Sequence, residues 1–387
     1  MIVFTSIAAN YIPKARVLAV SLKRHNPGIF FVVCLVERTI HPAAQAAEVF
    51  DLVLTAQDLG IEEFESFIFQ YSLVEAATAV KGHIFKELWR RFPGEDEFVY
   101  LDPDILVLGS FSELAQSLQT HNIILTPHLC EPEENLETVW DNEVCALKHG
   151  VFNLGFLALR RSEEAEGFLE WWCRRLAQLC YADTAAGLFV DQRWMDLAPC
   201  FFEVFIFKHP GYNVAPWNLS RRPITEDAGG ELRAGDYPLR FFHFSGLDSG
   251  VFGGMVSKYC PDKENPVYKI IELYKEQCAR YGQKELGKIP WSYNFYSNGE
   301  KIEDEHRLFY RTHREIKARF KGPFQAETPA SFYQYIKAFA ESDEAFRGNH
   351  SFGARIKELY GRTKEAYDTG GARLVMTKTL KFISRKF

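Results

Sequence analysis

The sequence predicts an α/β protein with a mainly parallel central sheet flanked by helices, followed by a mainly helical C-terminal region. Three observations carry that prediction. The first 36 residues run strand, helix, strand; apolar β-forming runs recur at 98–108 and 151–159 between helical patterns; and after about Pro261 the composition shifts to charged helices. At 387 residues with 47% hydrophobic content, the chain can bury one large core or two smaller ones. The expected division is a domain over residues 1–260 and a helical region over 261–387 that ends in a basic tail.

Residues 2–8 are an apolar, β-rich run, and Asn10-Tyr11 open a loop. Ala15, Leu18, Ala19 and Leu22 then form a helical stripe that Asn26-Pro27-Gly28 stops, and 29–36 is the next buried strand. Such a unit places a ligand site beyond the carboxyl ends of its strands, where Asn10 and Tyr11 fall. Neither common glycine-based phosphate cradle is present, since no G-x-G-x-x-G follows the first strand and no G-x-x-x-x-G-K-[ST] occurs. A short strand is expected at 51–55. One or two helices over 67–91 would turn Val74, Ala77, Val80, Ile84, Phe85, Leu88 and Trp89 inward. Lys81 in this apolar stretch is either a snorkelling side chain or a cation for an anionic ligand.

The next strand, Phe98-Val-Tyr-Leu-Asp-Pro-Asp-Ile-Leu-Val-Leu108, carries the chemistry. Asp102 and Asp104 sit at i and i+2, so in extended backbone both carboxylates point to one side, and Pro103 biases Asp102 toward that geometry. Two converging carboxylates need a cation, and hard oxygen ligands suit Mg²⁺ or Mn²⁺. A surface turn is the plainer alternative, but the flanking apolar residues place the acids at a buried sheet edge, where unpaired charge is costly.

A helix from about Ser112 and a strand at 123–126 follow. In the buried strand 151–159, Asn153 and Gly155 mark either a bulge or a close approach to the backbone. An amphipathic helix over 163–181 carries Trp171 and Trp172 as core residues, and Asp191-Gln192 start a short helical turn that Asp191 is suited to cap. Strands are expected at 201–208 and 239–244, the second running into His243-Phe-Ser-Gly246; a lone histidine is ordinarily a structural or surface residue, but a metal held by two carboxylates lacks a third protein ligand, of which histidine is the commonest supplier. Between them, the aromatic turn at 210–218 and a later loop at 291–296 either shape a pocket or pack. Helices are expected at 267–281, 304–321 and 331–344. The tail 371–387 holds Arg373, Lys378, Lys381, Arg385 and Lys386 with no acid, and is either a membrane-surface segment or an ordinary terminal helix.

Composition narrows the function further. A net charge of -6 and a pI near 6 give no sign of nucleic-acid affinity. Eight scattered cysteines without a C-x-x-C pair read as reduced thiols. The N-terminus lacks a basic leader, and no apolar run approaches the ~18 residues needed to span a bilayer. A cytoplasmic protein, at most peripheral at a membrane face, is expected.

The order of these motifs resembles the retaining GT-A glycosyltransferases, most closely family 8, which contains glycogenin and bacterial lipopolysaccharide glycosyltransferases. The resemblance rests on Asn10-Tyr11, Lys81, Leu101-Asp-Pro-Asp104, Asn153-Leu-Gly155, Asp191-Gln192 and His243-Phe-Ser-Gly246, and covers roughly residues 1–250. It implies a Rossmann-like GT-A domain over 1–260 that binds a nucleotide-sugar donor, a UDP-hexose being the first choice. Tyr11 would stack on the base, with Asn10 beside it. Asp102, Asp104 and His243 would hold Mn²⁺ (or Mg²⁺) against the diphosphate. Lys81, Asn153 and Asp191 would contact the sugar, with Gly155 in the same segment and Gly246 offering its backbone to the diphosphate. Gln192 would lie at the β-face of the anomeric carbon. Two departures mark a divergent branch. The Lys-Pro-Trp that usually follows the His-x-x-Gly element is replaced by Leu247-Asp-Ser-Gly-Val-Phe, leaving Lys258 or another cation to serve the diphosphate; an acid expected after Thr126 is absent, with His128 nearby.

The implied reaction transfers a sugar to a glycan or glycolipid acceptor of the bacterial cell surface. Gln192 is a poor nucleophile, so front-face attack is expected, with Asp191 as the alternative nucleophile. Two competing readings stand beside it: a haloacid-dehalogenase-type phosphatase using Asp102 and Asp104, and a catalytically inactive GT-A binding module.

Overall fold

The computed structural model describes residues 1–342. The tail 371–387 lies outside the described residues, as does the end of the helix expected at 331–344.

The described residues hold β1 (Ile2–Ile7), β2 (Phe30–Leu35), β3 (Leu52–Thr55), β4 (Glu97–Leu101), β5 (Ile105–Val107), β6 (Ile123–Pro127), β7 (Phe152–Arg160), β8 (Val204–Ile206), β9 (Ile224–Glu226), β10 (Leu232–Ala234), β11 (Tyr237–Pro238) and β12 (Phe241–His243). A seven-stranded sheet runs in the order β3-β2-β1-β4-β7-β6-β8. All its pairs are parallel except those of β7, which is antiparallel to both β4 and β6. This is the mainly parallel α/β architecture expected of a GT-A domain.

The single reversed strand decides what meets at the sheet's edge. β1, β4 and β6 end on one side, releasing Asn10, Asp102 and His128 there. Because β7 runs the other way, its beginning, with Asn153 and Gly155, lies on that same side; the Asp102 amide donates to the Gly155 carbonyl at 2.9 Å. β12 pairs antiparallel with β5, setting His243 opposite Ile105, and the Phe244 amide donates to the Asp104 carbonyl at 2.8 Å. His243 therefore arrives directly over the Asp-Pro-Asp turn.

Two compact units divide the described chain: Met1–Ile61 with Leu73–Ser292, and Glu62–Ser72 with the chain from Tyr293 onward. The first has its core on the sheet, where Val3, Phe31, Val99 and Phe156 pack with Leu18 and Leu22 of the helix Ile12–His25. In the second, Phe69 makes edge contacts with Tyr310, Phe324 and Phe332. Beside it the buried guanidinium of Arg307 is satisfied by the carbonyls of Phe69 at 2.8 Å and Tyr293 at 2.6 Å, as a charge withdrawn from water requires.

Some elements differ from the expectation, the first being the run 98–108, which is not one strand: a turn at Pro103-Asp104 divides it into β4 and β5, which belong to different sheets. The stretch 67–91 is three helices, Phe64–Phe69, Leu73–Ala79 and Lys81–Arg91. Val74 is 65% exposed rather than inward, because the break before Lys81 resets the helical phase. The helix expected at 304–321 is interrupted at His313 into Asp304–Thr312 and Arg314–Arg319. All eight cysteines are free thiols, and no helix among the described residues is long and apolar enough to cross a membrane.

Candidate metal and donor site

Asp102, Asp104 and His243 each offer a ligand atom, and the three atoms lie within 4.8 Å of one another. His243 Nε2 is 3.2 Å from Asp104 Oδ1 and 3.6 Å from Asp102 Oδ2. Its other ring nitrogen, Nδ1, lies 3.2 Å from Asn213 Oδ1. Asn213 is fully buried, and its amide nitrogen donates to Asn153 Oδ1 at 3.0 Å and to Thr126 Oγ1 at 3.2 Å. Asn153 Oδ1 also accepts from the Gly155 amide at 3.0 Å, while Asn153 Nδ2 lies 3.1 Å from His128 Nε2.

One assignment of protons satisfies the whole chain. Neutral His128 accepts from Asn153 at Nε2, with Nδ1 turned to the Val151 carbonyl at 3.3 Å. Desolvation pushes its pKa down to about 4, which keeps it in that neutral form. Asn213 then presents an oxygen to His243, which places a proton on Nδ1 and leaves Nε2 facing the acids, where it carries a proton shared with Asp104 or gives that proton up to a cation. Burial alone would lower the His243 pKa, but Asp104 and then Asp102 outweigh it and raise the value. Two carboxylates and an imidazole lone pair are a donor set that fits a divalent cation.

Gly155 is in this strand for a steric reason. A Cβ there would lie 2.5 Å from His243 Cε1 and 2.7 Å from Asn153 Oδ1, so the imidazole itself fills the space a side chain would need. A break in the β6–β7 register lies close by, between Leu125 and Pro127. The structure thus holds both features that a glycine at this point can mark.

Lys81 is 2% exposed and faces the same point. Its ammonium reaches Asp191 Oδ2 at 2.9 Å, the Leu154 carbonyl at 2.9 Å and Asp102 Oδ1 at 3.5 Å, and lies over the Tyr100 ring. Tyr100 in turn donates to Asp102 Oδ1 at 2.6 Å. Asp191 makes no capping hydrogen bond, and its carboxylate turns to Lys81 instead. Burial pushes its pKa up to about 6 against the pull of Lys81. Gln192 is held at both ends: Oε1 accepts from the Leu154 amide at 3.0 Å, and Nε2 donates to the His149 carbonyl at 3.0 Å. Val190, a β-branched residue at φ 41°, introduces this pair in a left-handed conformation that costs about 1–2 kcal/mol.

Two cavities share Asp102, Val74 and Thr78 as walls. One, of about 640 Å³, is lined by Lys81, Asn153, Asp191, Gln192, His128, Trp217 and His243 among others. The other, of about 200 Å³, lies beside Asn10, Tyr11, Tyr100 and Asp104. Asn10 lines this second cavity, and its Oδ1 is buried without a hydrogen-bond partner. Gly246 adopts φ 79° just beyond His243. Trp217 meets the edges of His128 and His243, whereas Trp291 is buried and donates to the Val36 carbonyl, so only the first borders the site. Lys258 is committed elsewhere, with both Glu137 and Asp141 at 2.5 Å.

Sequence reasoning did not single out Asn213, Tyr100 or Lys14. Asn213 carried a usable signal, an asparagine in a Pro-Gly-Tyr turn; it adopts φ 55°, a conformation asparagine tolerates better than most residues.

Fold and site together define an α/β protein with a cation-competent centre at the carboxyl edge of a mainly parallel sheet. Residues 2–166 match the family model described as glycosyl transferase family 8. The chain resembles that family through a stretch that includes Asp102, Asp104 and Asn153 and ends before Asp191, Gln192 and His243. Among solved structures, the galactosyltransferase LgtC in complex with donor and acceptor sugar analogues is similar at 18% identity and TM-score 0.42, covering 75% of this chain and 98% of its own. Mouse xyloside xylosyltransferase 1, in its apo form, is similar at 13% identity and TM-score 0.38, covering 63% of this chain and 96% of its own. No curated protein sequence matches the chain. The family match supports a glycosyltransferase acting on a nucleotide sugar.

Proposed function

We propose that the protein is a metal-dependent glycosyltransferase that moves a hexose from a UDP donor to a bacterial cell-surface glycan or glycolipid, with retention of anomeric configuration. The observation that carries this reading is the convergence of Asp102, Asp104 and the Nε2 atom of His243 on the wall between two cavities. In this reading the smaller cavity takes the nucleoside, with Tyr11 against the base and Asn10 Oδ1 accepting a hydrogen bond from it. Asp102, Asp104 and His243 hold Mn²⁺ or Mg²⁺, which when bound stabilises the charge developing on the diphosphate leaving group. Gly246 turns its backbone toward the same diphosphate.

The larger cavity takes the sugar and the acceptor. Lys81, Asn153 and Asp191 orient the sugar, and Gly155 contributes by admitting the His243 ring. Gln192, whose amide is already bonded at both ends, is placed to stabilise the reacting face rather than to attack it. Front-face attack, with the leaving phosphate taking the acceptor's proton, follows from that. Asp191, paired with Lys81, is the carboxylate to test as the alternative nucleophile.

A thermal-shift series of nucleotide sugars with and without Mn²⁺, followed by product analysis of the best ligand, tests the proposal. Stabilisation that needs both sugar nucleotide and metal, then turnover to a retained product, is expected. Hydrolysis of an aryl phosphate without nucleotide-sugar turnover would favour the phosphatase reading. Metal-independent silence toward every nucleotide sugar would favour the binding module.

A further inference from the structure

Lys14, on the helix Ile12–His25, is 5% exposed at its side chain, yet its ammonium pairs at 2.5 Å with Asp248 Oδ2 on a carboxylate that is 65% exposed. The same ammonium lies 4.1 Å from the centre of the Tyr11 ring. Lys14 thus stands against the ring that lines the smaller cavity.

Asp248 sits in a single turn, Leu247–Ser249, bounded by Gly246 at φ 79° and Gly250 at φ 78°. Both hinge points adopt a conformation that glycine takes without steric cost, so the turn is joined to the fold at two permissive residues. The segment from Leu247 to Phe252 has no lysine of its own. The other cations already described at this edge are each held by more than one oxygen-bearing group, Lys81 by Asp191, Asp102 and the Leu154 carbonyl and Lys258 by Glu137 and Asp141, whereas Lys14 pairs with Asp248.

Resting on the donor reading above, we propose that Lys14 is the cation that receives the donor's diphosphate and that Asp248 holds it in place until the diphosphate displaces that carboxylate. A buried ammonium needs a counter-charge at all times. Asp248 supplies one from a surface turn, and a diphosphate, carrying more negative charge and more acceptor oxygens, competes for the same donor hydrogens. No covalent bond changes; one ion pair replaces another, and Asp248 returns to water.

The test is calorimetric titration of the full chain with Mn²⁺ present, using UDP, GDP and ADP and the nucleosides uridine, guanosine and adenosine. Lys14→Met should weaken the diphosphate that binds wild type by at least tenfold and leave its nucleoside unchanged. Asp248→Asn, a substitution at an exposed side chain, should tighten that diphosphate several-fold by removing its competitor. Equal diphosphate affinity in wild type and Lys14→Met overturns the assignment of Lys14. Weaker binding by Asp248→Asn overturns the placeholder role. Wild type binding none of the three diphosphates with Mn²⁺ instead overturns the donor reading itself.

Discussion

Asn213 presents its side-chain oxygen to Nδ1 of His243 at 3.2 Å, and by doing so decides which nitrogen of that ring faces Asp102 and Asp104. An imidazole free to choose its tautomer would spend part of its time with a proton where a cation has to bind. Asn213→Leu should therefore lower Mn²⁺ affinity by about tenfold to a hundredfold. It should also destabilise the fold by about 1–3 kcal/mol, because Thr126 and Asn153 lose a buried partner. Metal titration followed by urea denaturation separates the two effects; unchanged Mn²⁺ affinity would remove Asn213 from this role.

Gly155→Ala tests the same ring from its other side. The new methyl would lie 2.5 Å from His243 Cε1, closer than packed atoms permit, so the imidazole must move. Overpacking of this kind costs about 1–3 kcal/mol. Because the displaced group is a proposed ligand, loss of Mn²⁺ binding should accompany the loss of stability. Retention of full Mn²⁺ affinity would mean that the ring yields without leaving its place.

What the sequence disclosed and what it withheld follow from how each residue is encoded. Strands such as β7 were legible because apolar runs like 151–159 have a period and a length, whereas the run 98–108 concealed the turn that divides it. The acids Asp102 and Asp104 were legible as a pair two residues apart, but they converge from a turn between β4 and β5 and not from one extended strand as expected. Asn213 was not, since its importance comes from contact with His243 and Asn153, residues 30 and 60 positions away. The exposure of Val74 and the three-way division of 67–91 were hidden for a related reason: helical periodicity reads through a short break without registering the change of phase.

Glu87 offers a pH-dependent measure of the helix Lys81–Arg91 that presents Lys81. Its carboxylate accepts from Arg90 at 2.8 and 2.9 Å and from Arg91 at 2.6 Å, and the hydrogen bond with Arg90, opposed by burial and reinforced by that with Arg91, holds its pKa down to about 2. A carboxylate depressed in the folded state adds stability that is complete above its unfolded pKa of about 4.5 and is lost as pH falls from there to about 2. Arg90 is 70% exposed, so screening reduces the contribution to about 1 kcal/mol. Glu87→Gln should be less stable than wild type by that amount at pH 7, with the gap narrowing below pH 4.5 in urea denaturation. A gap of constant size would show that packing, not charge, is what the substitution removes.

Lys81 and Asp191 are both 2% exposed at their side chains and 2.9 Å apart, so neither charge has water to fall back on. Lys81→Met leaves Asp191 buried beside Asp102 without its cation, and breaking a buried pair in this way costs about 3–5 kcal/mol. Asp191, already at about 6, would then go neutral, which limits the damage. Adding Asp191→Asn removes the stranded carboxyl and should recover part of the loss, giving a coupling of more than about 1 kcal/mol in a double-mutant cycle measured by urea denaturation at pH 8. If the pair serves only the fold, activity should return with stability in the double variant. If Lys81 and Asp191 orient the sugar as proposed, the double variant should be stable and still slow, and strictly additive stability losses would mean that the two charges do not depend on one another at all.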